Sequence, residues 1–214
     1  MHQIDLLIFD LDGTLVDTRQ DLTNSVNYAR NELGFPALEL ETVIKYVGNG
    51  VRKLMERSLP EKQWDKIEEA IALFQNHYQD HALDFTTLYP GVKETLNHFR
   101  HKKMAVISNK PENFSRSILK GLRVESYFDL VLGGDSLPFM KPSPEPVYKV
   151  LHDFAVKPER TVMVGDGVTD IEAGKQAKVL TCAVSYGFRK KELLLTAKPD
   201  YLVDSIVELR KLFV

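Results

Sequence analysis

The sequence predicts an α/β fold: a doubly wound, parallel, Rossmann-like sheet with a small α-helical cap domain inserted after the first strand. Three observations predict it. Short runs rich in Val, Ile and Leu recur along the chain, each closing on Gly, Asp, Asn or Ser, as buried parallel strands do. Segments with helical spacing lie between them. One long stretch after the first run carries helical spacing alone. With 214 residues, the chain is long enough for one substantial core plus a small second unit.

The elements follow in order. "IDLLIFD" is the first strand, ending at Asp10. From Asp17 to about Leu83 no strand is expected. "RQDLTNSVNYARNELG" reads as a helix stopped at Gly34, and "LELETVIKYVGNG", "VRKLMERSL" and "EKQWDKIEEAIALFQNHYQDHA" also read as helical. This stretch is too long for an ordinary crossover. It divides the chain into a core of residues 1–15 and 84–214 and a cap of residues 16–83. "MAVISNK" is a strand closing on Ser108 and Asn109, "LVLGGD" closes near Gly133 and Gly134, and "TVMVGD" closes on Asp166. "VLTCAVSYG", closing on Tyr186 and Gly187, reads as the last sheet strand. "VKETLNHFRHK", "ENFSRSILKGL" and "EPVYKVLHDFAV" supply the covering helices.

Composition excludes several classes. A net charge of −2 gives no electrostatic reason for nucleic acid as a partner. No apolar run approaches the roughly 18 residues of a membrane span. The apolar run near the N-terminus has no basic leader and reads as a strand, not a signal peptide. The single cysteine, Cys182, lies in an apolar run, reads as an inert core thiol and fits a reducing compartment, so the expected location is cytoplasmic. Both monomer and homodimer remain open.

The chemistry collects at the strand ends, where such sheets bind ligands. Asp10 and Asp12 stand two residues apart before Gly13. Paired carboxylates there can hold a hard cation, divide nucleophilic and acid–base work, or form a turn and helix cap. "VGDGVTD" adds Asp166 and Asp170. Four carboxylates meeting at one point cannot all stay ionised without compensation, which a divalent cation would supply. Ser108 and Asn109, just before a helix, suit phosphate oxygens. Lys141 in "FMKPSPEP" is a candidate counter-charge. In the cap, "YVGNGVRKL" puts Gly48, Asn49 and Gly50 ahead of a helix carrying Arg52, either a plain turn or an anion site.

"FDLDGTLVDT", "VISNKPE", "GGDSLPFMKPSPEP" and "VGDGVTDIEA", in that order, resemble the four motifs of the haloacid dehalogenase superfamily. Within it, "YPGVKETL", "SNKPENF" and "GGDSLP" followed by "KPSPEP" are most similar to bacterial phosphoglycolate phosphatases. The resemblance implies Asp10 as nucleophile and Asp12 as acid and base. It implies Mg²⁺ held by Asp10, the Asp12 backbone carbonyl and Asp166, with Asp170 behind them. Ser108 and the Asn109 backbone would bind phosphate, and Lys141 would neutralise the nucleophile and the transferring group. Sharing a metal with Asp166 and a phosphate with Ser108 would put the first strand between theirs. An acid at position 12 favours phosphomonoester hydrolysis or phosphomutase chemistry over dehalogenation. The expectation is a Mg²⁺-dependent phosphatase acting on a small-molecule phosphoester, 2-phosphoglycolate first. A sugar phosphomutase like beta-phosphoglucomutase, a pyrophosphatase, or a non-catalytic regulatory protein are the alternatives.

Phe139 and Met140, Gly167 and Lys178 depart from the phosphoglycolate phosphatase pattern, and none removes a catalytic group. His77, His81, His98, His101 and His152 have no ligand spacing and read as surface or packing residues. Trp64, Phe74 and Tyr78 read as the apolar side of a cap helix, and Arg189 to Lys191 as a solvated loop and helix start that could border the site.

Overall fold

A computed structural model describes all 214 residues, Met1–Val214. The strands β1 (Leu6–Phe9), β4 (Lys103–Ile107), β5 (Leu130–Leu132), β6 (Thr161–Gly165), β7 (Leu180–Val184) and β8 (Tyr201–Val203) form one parallel sheet in the order β5-β4-β1-β6-β7-β8. As expected, β1 lies between the strands that lead to Ser108 and Asp166. All four of its residues are buried, because both faces of the sheet are covered. Leu7 and Phe9 face a cluster with residues of α5 (Val92–His98), α6 (Glu112–Gly121) and α10 (Leu209–Leu212). Leu6 and Ile8 face the opposite cluster, with residues of α7 (Glu145–Phe154) and α8 (Val168–Gln176).

The helical stretch after β1 comprises α1 (Arg19–Glu32), α2 (Leu40–Tyr46), α3 (Gly50–Ser58), a 3-10 segment (Glu61–Lys66) and α4 (Ile67–His81). α1 packs on α4. Leu22, Val26 and Ala29 are the buried stripe of α1, and Ala70, Phe74 and Tyr78 that of α4, each set at helical spacing. α1 stops where Gly34 takes φ +80°, a left-handed conformation that glycine adopts without strain.

Three expectations are corrected. The chain crossings pair as a two-stranded antiparallel sheet, β2 (Val16–Asp17) with β3 (Thr87–Leu88), where only helix was expected from Asp17. Two-residue strands leave too little alternation to read. The crossings are further tied by buried Asp21, which accepts hydrogen bonds from the Phe85 and Thr86 amides at 3.1 and 2.8 Å. β7 is not the last strand, since β8 adds a parallel edge. Trp64 is 59% exposed, not packed. It lies in the 3-10 segment, whose backbone is non-helical at Gln63, so the spacing of α4 does not extend back to it. Phe74 and Tyr78 are buried as expected, and Cys182 is buried, its thiol pushed up to about 12 by burial.

Candidate active site

β1 ends between β4 and β6 with Phe9 level with Val106 and Val164. Asp10 therefore emerges at the centre of the sheet edge, Ser108 two residues past Val106 on one side and Asp166 two past Val164 on the other. Oxygens of Asp10, Asp166 and Asp170 lie within 4.8 Å of one another. Glycines allow this crowding. Gly13 has φ +81°, and a Cβ there would sit 2.2 Å from Asp166 Oδ2. A Cβ on Gly165 would sit 2.2 Å from Asp170 Oδ2.

Lys141 is buried among acceptors. Its ammonium donates to the Ile107 carbonyl and Asp170 Oδ1, both at 2.6 Å, and pairs with Asp10 Oδ1 at 2.9 Å. Burial alone would lower its pKa; the Asp10 and Asp170 carboxylates overcome that and hold it above the usual lysine range. Asp170 also accepts the Gly167 amide at 2.9 Å, at the start of α8. Asp166 accepts from the Phe188 amide at 2.7 Å and the Thr14 hydroxyl at 3.3 Å.

Asp12 stands on the other side. The Thr18 hydroxyl donates to its Oδ1 at 2.6 Å, and Lys110 Nζ lies 3.0 Å from the same oxygen. Lys110 also donates to the hydroxyl of Tyr78, on α4, at 2.8 Å. The sequence reading assigned Lys110 no role and saw Tyr78 only as packing. The available signal was position: Lys110 directly follows Ser108 and Asn109 at a strand end and precedes a proline, as Lys141 does.

The donor set fits a divalent cation. Four carboxylates meet two buried ammoniums, and the shortfall shows in the acids themselves. Burial, reinforced by Asp170, pushes Asp10 up to about 7 despite Lys141. Burial, then Asp10 and Asp170, pushes Asp166 up to about 8. Hard oxygen ligands with this charge deficit are what a divalent cation satisfies.

Ser108 is buried and lines the same cavity as Asp10, and its hydroxyl accepts the Lys110 amide at 3.3 Å. The Asn109 side chain is committed elsewhere. It donates to the Gly48 carbonyl at 2.9 Å and the Lys141 carbonyl at 2.8 Å, and accepts the Lys141 amide at 3.0 Å. It thus ties the cap turn to the lysine loop. Gly48, Asn49 and Gly50 line the cavity, whose volume is about 200 Å³. Arg52 is not brought there: it is exposed and paired with Glu68. Two cations lie against this turn: Arg189, which donates to the Ile44 carbonyl at 2.9 Å and to the Val47 carbonyl, and Arg57, which donates to Asn49 Oδ1 at 2.9 Å and to the Tyr46 carbonyl at 3.0 Å. The run at Arg189 is therefore not simply solvated; Lys190 is exposed and Lys191 pairs with Asp204 at 3.0 Å. A basic run in a loop gives no sequence signal of a carbonyl partner 145 residues away.

A sequence profile of haloacid dehalogenase-like hydrolases matches residues 7–184. The chain belongs to that family. It is 39% identical over 209 residues to a phosphoglycolate phosphatase of Aquifex aeolicus, covering 97% of this chain and 95% of the relative. It is 36% identical to a phosphoglycolate phosphatase of Nitrosospira multiformis, covering 98% and 95%. A crystal structure described as a predicted phosphoglycolate phosphatase from Haemophilus somnus superposes with a TM-score of 0.94 at 32% identity, over 99% of both chains. The family assignment makes the chain a hydrolase, with an α/β sheet and a helical insertion as the sequence predicts. None of its helices is long and apolar enough to cross a membrane.

Proposed function

We propose that this hydrolase is a Mg²⁺-dependent phosphatase that cleaves a small phosphomonoester, 2-phosphoglycolate first, through an aspartyl-phosphate. The observation that carries the reading is that two neighbouring carboxylates share one cavity in different surroundings. Asp10 sits against Lys141 and the Asp166–Asp170 pair, and Asp12 against Lys110 and Thr18. Such a division suits a nucleophile and an acid–base partner. The phosphoglycolate phosphatases among the relatives direct the choice of substrate.

In the first step an oxygen of Asp10 bonds to phosphorus while the bond from phosphorus to the ester oxygen breaks. Asp12 gives that oxygen its proton, so the alcohol leaves neutral. In the second step Asp12 takes a proton from water, whose oxygen bonds to phosphorus as the Asp10–phosphorus bond breaks. Ser108 and the Asn109 backbone hold the phosphoryl oxygens, and Lys141 balances charge on Asp10 and on the transferring group. Asp10, Asp166 and the Asp12 backbone carbonyl would hold Mg²⁺, with Asp170 behind; bound there, it supplies charge neutralisation for the phosphoryl oxygens.

Residues 16–83 act as the cap over a core of residues 1–15 and 84–214, and the cavity between them admits only small substrates. Its cap wall includes Leu22, Val47, Val51, Leu54 and Phe74. The same wall also carries the turn of Gly48, Asn49 and Gly50 and the Tyr78 hydroxyl, so the choice of phosphatase over sugar phosphomutase rests on the relatives. The test is phosphate release from 2-phosphoglycolate, pyrophosphate, hexose phosphates, nucleoside monophosphates and p-nitrophenyl phosphate. We expect kcat/KM for 2-phosphoglycolate at least about tenfold above the others, with activity lost on chelation and restored by Mg²⁺. A flat profile would remove the substrate assignment, and turnover that survives chelation would remove the metal.

A further inference from the structure

We propose that Lys110, tied to the cap through Tyr78, is a positioning residue that fixes which oxygen of Asp12 carries the transferred proton; this rests on the reading of Asp12 as acid and base. Both close contacts of the Asp12 carboxyl fall on one oxygen. Lys110 Nζ is 3.0 Å from Oδ1, and the Thr18 hydroxyl donates to Oδ1 at 2.6 Å. No hydrogen bond from the protein reaches Oδ2. An oxygen that accepts from an ammonium and a hydroxyl is a poor seat for a proton, so the proton of the neutral acid goes to Oδ2. Lys110 thereby turns a symmetric carboxyl into a directed one.

The lysine is itself held. Its side chain is only 5% exposed, so its orientation is set by partners rather than by water. One partner is Asp12, and the other is the Tyr78 hydroxyl at 2.8 Å. The Tyr78 ring is fixed in turn, stacked on Phe74 with centroids 5.4 Å apart and edge-on to Phe114 at 5.2 Å. Phe74 and Tyr78 belong to α4, whereas Lys110, Asp12 and Phe114 lie outside the helical insertion. The acid is therefore oriented by a lysine whose second ligand comes from the cap, and its geometry is complete only with α4 seated on the core. Thr18, at the start of α1, completes the set from the chain crossing.

The chemistry gives a readout that a purely structural role would not move. A poor leaving group needs the proton, whereas p-nitrophenolate departs without it. kcat/KM reports the step in which the ester bond breaks, so the three substrates are 2-phosphoglycolate, ethyl phosphate and p-nitrophenyl phosphate. Lys110→Met should lower kcat/KM about a hundredfold for both alkyl esters, the range of a general acid's contribution, and by less than about fivefold for the aryl ester. Tyr78→Phe keeps the ring and should give the same split at about fivefold, the worth of one hydrogen bond. Lys110→Arg should recover part of the alkyl activity. Circular dichroism and thermal melting identify any variant that has lost its fold, and Tyr78→Phe then carries the test.

An equal fall for all three substrates in folded Lys110→Met and Tyr78→Phe would overturn the inference while leaving the phosphatase reading in place. A fall for 2-phosphoglycolate with ethyl phosphate unchanged would also overturn it, because Lys110 would then be recognising the substrate carboxylate. No turnover of any of the three by the unaltered protein would overturn the reading of the site, and the inference with it.

Discussion

The two buried lysines line one cavity and are built differently. Lys141 meets only groups of the sheet edge and its loops: Asp10 after β1, Ile107 in β4 and Asp170 in α8. Lys110 meets Asp12 and Tyr78 of α4. The Lys141 ammonium thus takes no partner from the cap, whereas that of Lys110 does. In the proposed mechanism charge compensation at Asp10 is needed throughout turnover, which suits groups that the sheet edge alone supplies. Proton delivery by Asp12, in the same proposal, is needed only with substrate enclosed, which suits a contact supplied by the cap.

The comparison is broken most severely at Asp10. Asp10→Asn removes the proposed nucleophile but keeps the shape, and it should lower turnover by about 10⁴-fold or more with the fold retained. Near-normal Mg²⁺-dependent phosphate release by that variant would remove Asp10 from its role. Gly13→Ala tests the sheet-edge half without touching a charge. The new Cβ would meet the Asp166 carboxylate at 2.2 Å, on a backbone with φ +81°. The variant should melt earlier, losing about 1–3 kcal/mol. It should also need about 10- to 100-fold more Mg²⁺ for half-maximal activity, as expected when a ligand is displaced. A Mg²⁺ titration coincident with that of the unaltered protein would show that the Asp10–Asp166 cluster tolerates displacement.

Arg189→Ala tests the cap-bearing half away from the acid. Its guanidinium joins the loop after β7 to the Ile44 and Val47 carbonyls at the end of α2. Its loss should lower kcat/KM about tenfold, the worth of one or two charged hydrogen bonds. The loss should be equal for alkyl and aryl phosphates, because Arg189 holds the cap carbonyls and makes no contact with Asp12, the proposed proton donor. A split by leaving group at Arg189 would mean that cap seating and proton delivery are one event rather than two.

How much of this was legible in the sequence follows the same division. The sheet-edge half is written in local pattern. "LLIF" before Asp10, "VMVG" before Asp166 and the Ser108–Asn109 strand end each announce a buried strand with polar residues at its tip. A doubly wound sheet brings such tips together whatever lies between them. The cap-bearing half is written in pairs far apart in the chain. Lys110 and Tyr78 are 32 residues apart, and Arg189 and Val47 are 142. No period links such pairs, so Lys110 reads as part of a motif, Tyr78 as packing, and Arg189 as a solvated loop residue that could border the site, as it does by lining the cavity. β8 was missed for another reason: three residues at a sheet edge, two of them half-buried, give little apolar run to read.

The smallest effect is expected at Arg52, which the sequence placed at the cap's anion turn. The residue follows Gly50 and Val51 directly, but α3 turns its side chain outward, where it pairs with Glu68 in solvent. An exposed ion pair contributes little because water screens it and two long side chains must be ordered to form it. Arg52→Ala should therefore change kcat/KM for 2-phosphoglycolate by less than about twofold, far below the effect at Arg189. A tenfold rise in KM confined to 2-phosphoglycolate, with p-nitrophenyl phosphate unaffected, would mean that α3 rotates on substrate binding and brings the guanidinium to the carboxylate. In that event the cap would supply recognition as well as closure, and the separation between a core that does chemistry and a cap that completes its geometry would have to be redrawn at this helix.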